Sequence, residues 1–242
     1  PRSAASVMIR FTVFISLLVA AAAPLRAGPV LDYATHCAVC HGADRLGGTG
    51  PALIPEALNR LRGADLAAVI AQGRAATQMP GFANILDEEA IVALAAWLES
   101  PLEAELDWGE AEITASLETN AGYVRPDAPV FSGDPLNLFV VVETGDSHLS
   151  VLDGDSFERL ARLPTPYAVH GGPKFTPDGR HVFVMSRDGW VQKIDLWALE
   201  EVARVRAGIN SRNIALSKDG RWLAVANYLP TTLTILSTED LS

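Results

Sequence analysis

The apolar positions of the chain follow two different periods, and the period changes near the middle. Between residues 28 and 107 they recur every three or four positions, as on one face of a helix. Asp87, with acids directly after it, is suited to cap a helix. The pattern predicts a short helix ending at the first cysteine and two more, over Leu66–Gln72 (capped by Asp65) and Glu88–Glu99.

From Leu136 onward the chain changes to short runs rich in β-branched and aromatic residues, which are typical of strands. Residues 108–135, which separate the two regions, hold three prolines and little periodicity. We expect this segment to be an interdomain linker or an arm lying on the second domain. The predicted strands are Leu138–Val142, His148–Leu152, His181–Met185, Val191–Ile194, Trp222–Ala226 and Thr232–Leu236.

The strand-rich region repeats itself. Phe175–Arg180 returns 41 residues later as Leu216–Arg221, and Asp146–Asp153 matches Asp188–Asp195 at a shift of 42. A period of about 40 to 45 residues is typical of β-propeller blades with four strands each. Residues 136–242 hold only two to three such blades. We therefore expect an incomplete, truncated propeller whose catalytic groups lie in missing blades.

The amino-terminal segment has the pattern of an export signal. Arg10 is followed by an apolar run from Phe11 to Ala23, and a candidate cleavage site lies before Gly28. The run is shorter than a membrane-spanning helix requires. Residues 1–27 are therefore predicted to be a signal peptide, with residues 1–7 as possible upstream sequence, and the compartment to be the periplasm. We expect no stable membrane insertion.

The net charge of the chain limits the classes of partner that it can bind. The chain has a formal charge of −10 at pH 7, and because residues 1–27 contain three arginines and no acid, residues 28–242 carry −13. An acidic surface argues against binding to nucleic acid and favours partners with basic patches.

Cys37, Cys40 and His41 form the motif of a c-type haem attachment site. Two thiols three positions apart can form thioether bonds with one porphyrin, and the following histidine can bind its iron. A redox dithiol or half of a zinc site are the alternatives, although zinc would need a second pair of ligands. We predict one covalent haem c and a domain over residues 28–107.

Met79 is the candidate for the second iron ligand, since a thioether suits haem iron. A methionine followed by Pro80 resembles class I cytochromes c, where such a pair lies across the haem from the attachment histidine. The same resemblance implies that the Pro51 carbonyl accepts a hydrogen bond from the His41 ring. Met79 as a core residue, or His36 as the ligand instead, are the alternatives.

Several segments of the second region resemble the cytochrome cd1 family, whose members carry haem c in a small domain and haem d1 on an eight-bladed propeller. They are Tyr167–His170, Ser186–Gly189, Asp195–Trp197 and Gly208–Asn213. The resemblance implies a small all-α cytochrome c domain followed by an incomplete all-β eight-bladed propeller over residues 136–242. Gly171–Arg180 and Val225–Pro230 look closer to the biosynthetic branch, the dihydro-haem d1 dehydrogenases, than to the nitrite reductases.

The resemblance also assigns residues to a second, non-covalent cofactor, haem d1 or its dihydro precursor. It implies that His170 binds the iron and that Arg187 and Arg212 bind carboxylates, a task that suits guanidinium groups. Lys174 and Tyr228 are weaker candidates. The repeat places His170 near Arg212, and Arg187 near Tyr228, at equivalent points of successive blades.

Three functions follow from the resemblance. The first is dehydrogenation of dihydro-haem d1 in haem d1 biosynthesis, with electrons passed to haem c. The second is reduction of nitrite to nitric oxide, with electrons moving in the opposite direction. The third is a non-catalytic electron carrier or haem d1 chaperone. Expected partners are a small tetrapyrrole substrate, periplasmic electron-transfer proteins and haem d1 maturation proteins.

Overall fold

The computed structural model describes residues 28–103 and 106–242. The predicted signal peptide, residues 1–27, lies outside the described residues. No helix in the described ranges is long and apolar enough to cross a membrane.

The amino-terminal region folds into a small helical domain. Asp87 caps its longest helix, because the amide of Ala90 donates to the Asp87 carboxylate at 2.8 Å. The Asp65 cap was wrong: that helix begins at Gly63 and puts Asp65 in its first turn, where the acid still favours the helix dipole. The helices are α1 (Pro29–His36), α2 (Ala38–His41), α3 (Gly63–Gln72) and α4 (Glu88–Leu98).

One hydrophobic cluster holds this domain together. The predicted stripe of α4 is buried, with Leu94 and Leu98 almost fully enclosed, and it packs against α1 and α3. Cys37 belongs to the same cluster, and Met79 packs against it. The core of the domain therefore lies directly beside the attachment motif.

The strands of the second region pair with one another in antiparallel sheets. All six predicted strands form, and the strands that escaped prediction are the polar or very short ones. In chain order they are β1 (Glu118–Thr119), β2 (Leu138–Glu143), β3 (His148–Asp153), β4 (Arg159–Pro164), β5 (Lys174–Phe175), β6 (His181–Met185), β7 (Trp190–Asp195), β8 (Glu200–Arg206), β9 (Asn210–Leu216), β10 (Trp222–Leu229) and β11 (Leu233–Ser237).

These strands form three separate sheets in succession along the chain, as predicted, but among the described residues only one of them has the predicted four blade strands, and the other two have three. Blade one is β2-β3-β4, blade two is β5-β6-β7-β8, and blade three is β9-β10-β11. The repeated turns have the same geometry, since Gly179 and Gly220 both have φ near +70°. In the part of the chain that the structure describes, the sheets do not close into a ring, as expected for an incomplete propeller.

Residues 108–135 lie along blade two. Their helix α5 (Glu110–Ala115) is followed by β1, which pairs with β8 and adds a fifth strand to the sheet. Further along, the Tyr123 hydroxyl donates to Asp195 at 2.6 Å, and Arg180 donates to the Pro126 carbonyl at 2.9 Å. We call this segment the arm.

The contacts between the two domains include an apolar cluster and a hydrogen bond between loops. Ala52 and Ile54 of the helical domain share an apolar cluster with Ile209 of blade three. On the other side, the Gln78 amide donates to the Asp146 carbonyl in the β2–β3 turn at 3.0 Å. The loops that follow His41 and surround Met79 therefore both abut the propeller.

Candidate functional sites

His41 lies at the end of α2 with its ring fixed by backbone. Its Nδ1 donates to the Pro51 carbonyl at 2.7 Å, which leaves Nε2 without the proton and suited to binding a metal. Burial lowers the pKa of the imidazole, so the ring stays neutral. The resemblance to class I cytochromes c implied this hydrogen bond, and the structure contains it.

Gly50 makes room for the His41 ring. A Cβ at residue 50 would lie 2.8 Å from Cε1 and 2.9 Å from Nδ1 of His41. No side chain fits there without displacing the ring. The loop is closed by two further bonds, from the Gly47 amide to the His41 carbonyl and from the Gly50 amide to the Cys40 carbonyl.

Both cysteines are free thiols, as covalent attachment of a haem requires. Cys37 is buried in the hydrophobic cluster, and burial raises its pKa to about 11, so this thiol is protonated in the chain without haem. Cys40 is half-buried. The two thiols, the histidine and the glycine loop fit a c-type haem.

Met79 lies in a tight loop between α3 and α4. The Arg74 amide donates to the Met79 carbonyl at 3.0 Å, and a Cβ at Gly73 would lie 2.5 Å from that carbonyl oxygen. The half-buried side chain packs against the cluster that contains Cys37. His36, the alternative ligand, instead lies 6.0 Å from the Phe82 ring, centroid to centroid.

On the propeller, His170, Arg212 and Tyr228 meet where blades two and three adjoin. Arg212 Nη1 lies 3.3 Å from His170 Nε2, and the Arg212 guanidinium carbon lies 5.8 Å from the centre of the Tyr228 ring. Burial, then the charges of Arg212 and Arg187, lower the pKa of His170, so its ring is neutral and able to bind a metal. Arg212 and Tyr228 are exposed and so available to a ligand.

Arg187 has an exposed side chain on a fixed backbone. Its amide donates to the Ala168 carbonyl at 3.1 Å, and its carbonyl accepts from the Ser211 amide at 3.0 Å. The residue is thereby bonded to both sides of the junction between blades two and three. Together these four residues present two guanidinium groups beside a neutral histidine.

Lys174 is the outlying candidate. Its ammonium donates to the Gly172 carbonyl at 2.9 Å, and among the described residues no hydrogen bond or ring contact joins it to the other four. It lies at the start of β5, outside the cluster.

Two buried charged residues near this site were not predicted from the sequence. Asp188 is 2% exposed, its Oδ2 has no hydrogen-bond partner among the described residues, and burial raises its pKa to about 6. Arg206 is 6% exposed and donates through Nε to the Asp188 carbonyl at 2.9 Å. Arg206 could have been noticed in the sequence, because a charged residue at an inward-facing position of a strand needs buried partners.

The described domains match two family models. Residues 26–98 match the model described as cytochrome c oxidase, cbb3-type, subunit III, and residues 133–242 match the cytochrome D1 heme domain. The first corresponds to the helical domain, and the second contains all three blades.

Curated relatives and a solved structure agree with these matches. The chain is 54% identical over 211 residues to the dihydro-heme d1 dehydrogenase of Pseudomonas aeruginosa, covering 87% of this chain and 43% of that protein. It is 28% identical over 225 residues to a nitrite reductase of Stutzerimonas stutzeri, covering 84% of this chain and 40% of that protein.

The solved structure is described as dihydro-heme d1 dehydrogenase NirN in complex with DHE. It matches with a TM-score of 0.79 and 53% identity, over 89% of this chain and 47% of that one. The chain thus spans less than half the length of each of these relatives. With a c-type attachment loop on a helical domain and propeller blades that match the D1 heme domain, the chain carries domains of the cytochrome cd1 family.

Proposed function

We propose that this protein is a periplasmic dihydro-haem d1 dehydrogenase that completes haem d1. The observation that carries the proposal is the exposed cluster of His170, Arg187 and Arg212, in a chain with 54% identity to a dihydro-heme d1 dehydrogenase. A tetrapyrrole with several carboxylates and an iron needs both kinds of group that this cluster offers.

Each residue of the cluster has a proposed role. Neutral His170 binds the iron of the substrate, and Arg187 and Arg212 bind its carboxylates. Burial, together with the charge of Arg212 at 3.3 Å from His170 Nε2, lowers the pKa of the imidazole and so favours the neutral ring that binds a metal. The phenol ring of Tyr228 supports the Arg212 guanidinium, and Lys174 adds positive charge at the rim.

The helical domain is proposed to hold the electron acceptor. Cys37 and Cys40 attach haem c, His41 and Met79 bind its iron, and the Pro51 carbonyl fixes the His41 ring. Haem c supplies a one-electron acceptor. Dehydrogenation releases two electrons and two protons, so a periplasmic electron-transfer protein must take the first electron from haem c before the second electron can follow. Haem d1 maturation proteins are the expected source of the substrate.

The proposal is tested by anaerobic incubation of the haem c-loaded protein with dihydro-haem d1, followed by visible spectroscopy of the extracted tetrapyrrole. We expect conversion to haem d1 together with reduction of haem c. His170→Ala should abolish conversion, whereas His148→Ala, on a blade-one strand, should not. Binding without conversion contradicts the proposal; nitric oxide formed from nitrite would then indicate a reductase, and its absence a carrier.

A further inference from the structure

Arg206 touches the helical domain and the propeller at once. Its Nη2 donates to the Leu46 carbonyl, in the loop that follows His41, and its Nε donates to the Asp188 carbonyl, in the turn that carries Arg187. We infer that Arg206 is a positioning residue that fixes the haem c loop relative to the tetrapyrrole-binding arginine. The inference rests on the proposed function only for the identity of that ligand.

The contact on the haem c side reaches a loop with little freedom. The amide of Gly47, next to Leu46, donates to the His41 carbonyl at 2.9 Å. A Cβ at Gly47 would lie 3.1 Å from Arg206 Nη2, so the guanidinium lies directly against the backbone. A displacement of Arg206 therefore acts on the loop that orients the proposed iron ligand.

The contact on the propeller side reaches an equally tight turn. A Cβ at Gly189 would lie 1.9 Å from the Gly208 carbonyl oxygen, and the Ala207 amide donates to the Gly189 carbonyl at 2.8 Å. The turn that carries Arg187 is thus pressed against the end of β8, the strand to which Arg206 belongs. Arg187 cannot shift far while this contact holds.

The arm fixes Arg206 from a third direction. The guanidinium carbon lies 4.9 Å from the centre of the Trp108 ring, the Trp108 indole donates to the Arg206 carbonyl at 3.0 Å, and the Arg206 amide donates to Ser116 at 2.9 Å. Negative charge comes from both domains, from Asp44 on one side and Asp188 on the other.

This geometry needs a guanidinium group. Two carbonyls, one in each domain, are reached by Nε and Nη2 of one planar group that lies over the Trp108 ring. A lysine carries the charge but presents a single nitrogen, which cannot span both acceptors while stacking. A merely structural arginine would tolerate lysine far better.

The test compares Arg206→Met and Arg206→Lys with Arg204→Met in the haem c-loaded protein. Arg204 is a matched control, because it lies on the same strand and stacks near Trp190 but pairs with Glu118 of the arm. Two quantities are measured: the reduction potential of haem c without tetrapyrrole, and the dissociation constant for dihydro-haem d1 by optical titration.

We expect both Arg206 variants to change the haem c potential and to weaken tetrapyrrole binding about tenfold, and Arg204→Met to change neither. Unchanged potential and affinity in Arg206→Met, or full recovery of both in Arg206→Lys, overturns the inference, even if thermal stability falls. Should the unmodified protein bind no tetrapyrrole, the proposed function fails, and the haem c potential alone decides the role of Arg206.

Discussion

The two candidate haem sites are built in opposite ways. The site on the helical domain is enclosed: His41 and Cys37 are buried, glycines leave space for the ring, and one hydrophobic core supports the loop. The site on the propeller is open, with Arg187 and Arg212 exposed between two blades. A covalently held cofactor suits an enclosed pocket, whereas a substrate that must enter and leave needs exposed groups.

We expect the largest effect from a substitution that disrupts the enclosed site. Gly50→Ala puts a methyl group 2.8 Å from the His41 ring, so we expect the ring to tilt and binding of the haem c iron to be lost or strongly altered. The optical spectrum of the reduced protein measures this. Gly122→Ala is the control, since a Cβ there makes only an ordinary contact, at 3.4 Å. A native spectrum in Gly50→Ala would contradict the proposed iron ligation by His41.

The next effect belongs to the open site. Arg187→Met and Arg212→Met each remove a charge-assisted hydrogen bond to a carboxylate, worth about 1.5 to 3 kcal/mol. We expect each to weaken dihydro-haem d1 binding at least about tenfold and the pair about a hundredfold or more, with haem c unchanged. Arg221→Met is the control, because the Arg221 side chain is exposed and pairs with Asp219 in its own turn. Equal affinity in the unmodified protein and all four variants would exclude these arginines from the site.

A third effect concerns the buried carboxylate between the sites. Burial raises the pKa of Asp188 from 3.8 to about 6, so the native fold prefers the protonated form. Its contribution to stability is therefore present at low pH and is lost as the pH rises from about 4 through 6.

Asp188→Asn removes this titration. We compare the free energy of unfolding of the variant with that of the unmodified protein at pH 4 and at pH 7.5. We expect the difference to shift by about 2 to 3 kcal/mol in favour of the variant from the lower to the higher pH. Urea unfolding at both pH values measures the difference, and a constant difference would show that Asp188 does not titrate in this range.

The smallest effect tests the arm. Tyr123→Phe removes the hydroxyl that donates to Asp195 at 2.6 Å, while Arg180 continues to pair with that carboxylate at 2.8 Å. We expect a loss of about 1 kcal/mol in the free energy of unfolding. Tyr228→Phe at the open site should leave the free energy of unfolding unchanged. An equal loss in both variants would show that the hydroxyl of Tyr123 contributes no more to stability than that of Tyr228.

The enclosed site could be predicted from the sequence because its chemistry is local. Cys37, Cys40 and His41 are adjacent in the chain, and Pro51 follows within a short loop. The period of the blades likewise brought His170 and Arg212 together, because equivalent positions of neighbouring blades adjoin. Local spacing and repetition are the two signals that a single sequence carries well.

The contacts that span long distances in the chain were missed. Arg206 and Leu46 are 160 residues apart, and no pattern in a single sequence marks that pair. The polar strand β8 was missed for a related reason: two arginines and two glutamates hide its alternation, and its stability comes from pairing with β7 and β1.

The short strand β1 has a consequence for how the protein behaves among its neighbours. Without it, β8 would be the outer edge of blade two, with unpaired amides and carbonyls that can accept a strand from another molecule. Two residues of the arm cover part of this edge, and the Glu118–Arg204 ion pair puts charge beside it. The arm thus protects the sheet from aggregation through its edge.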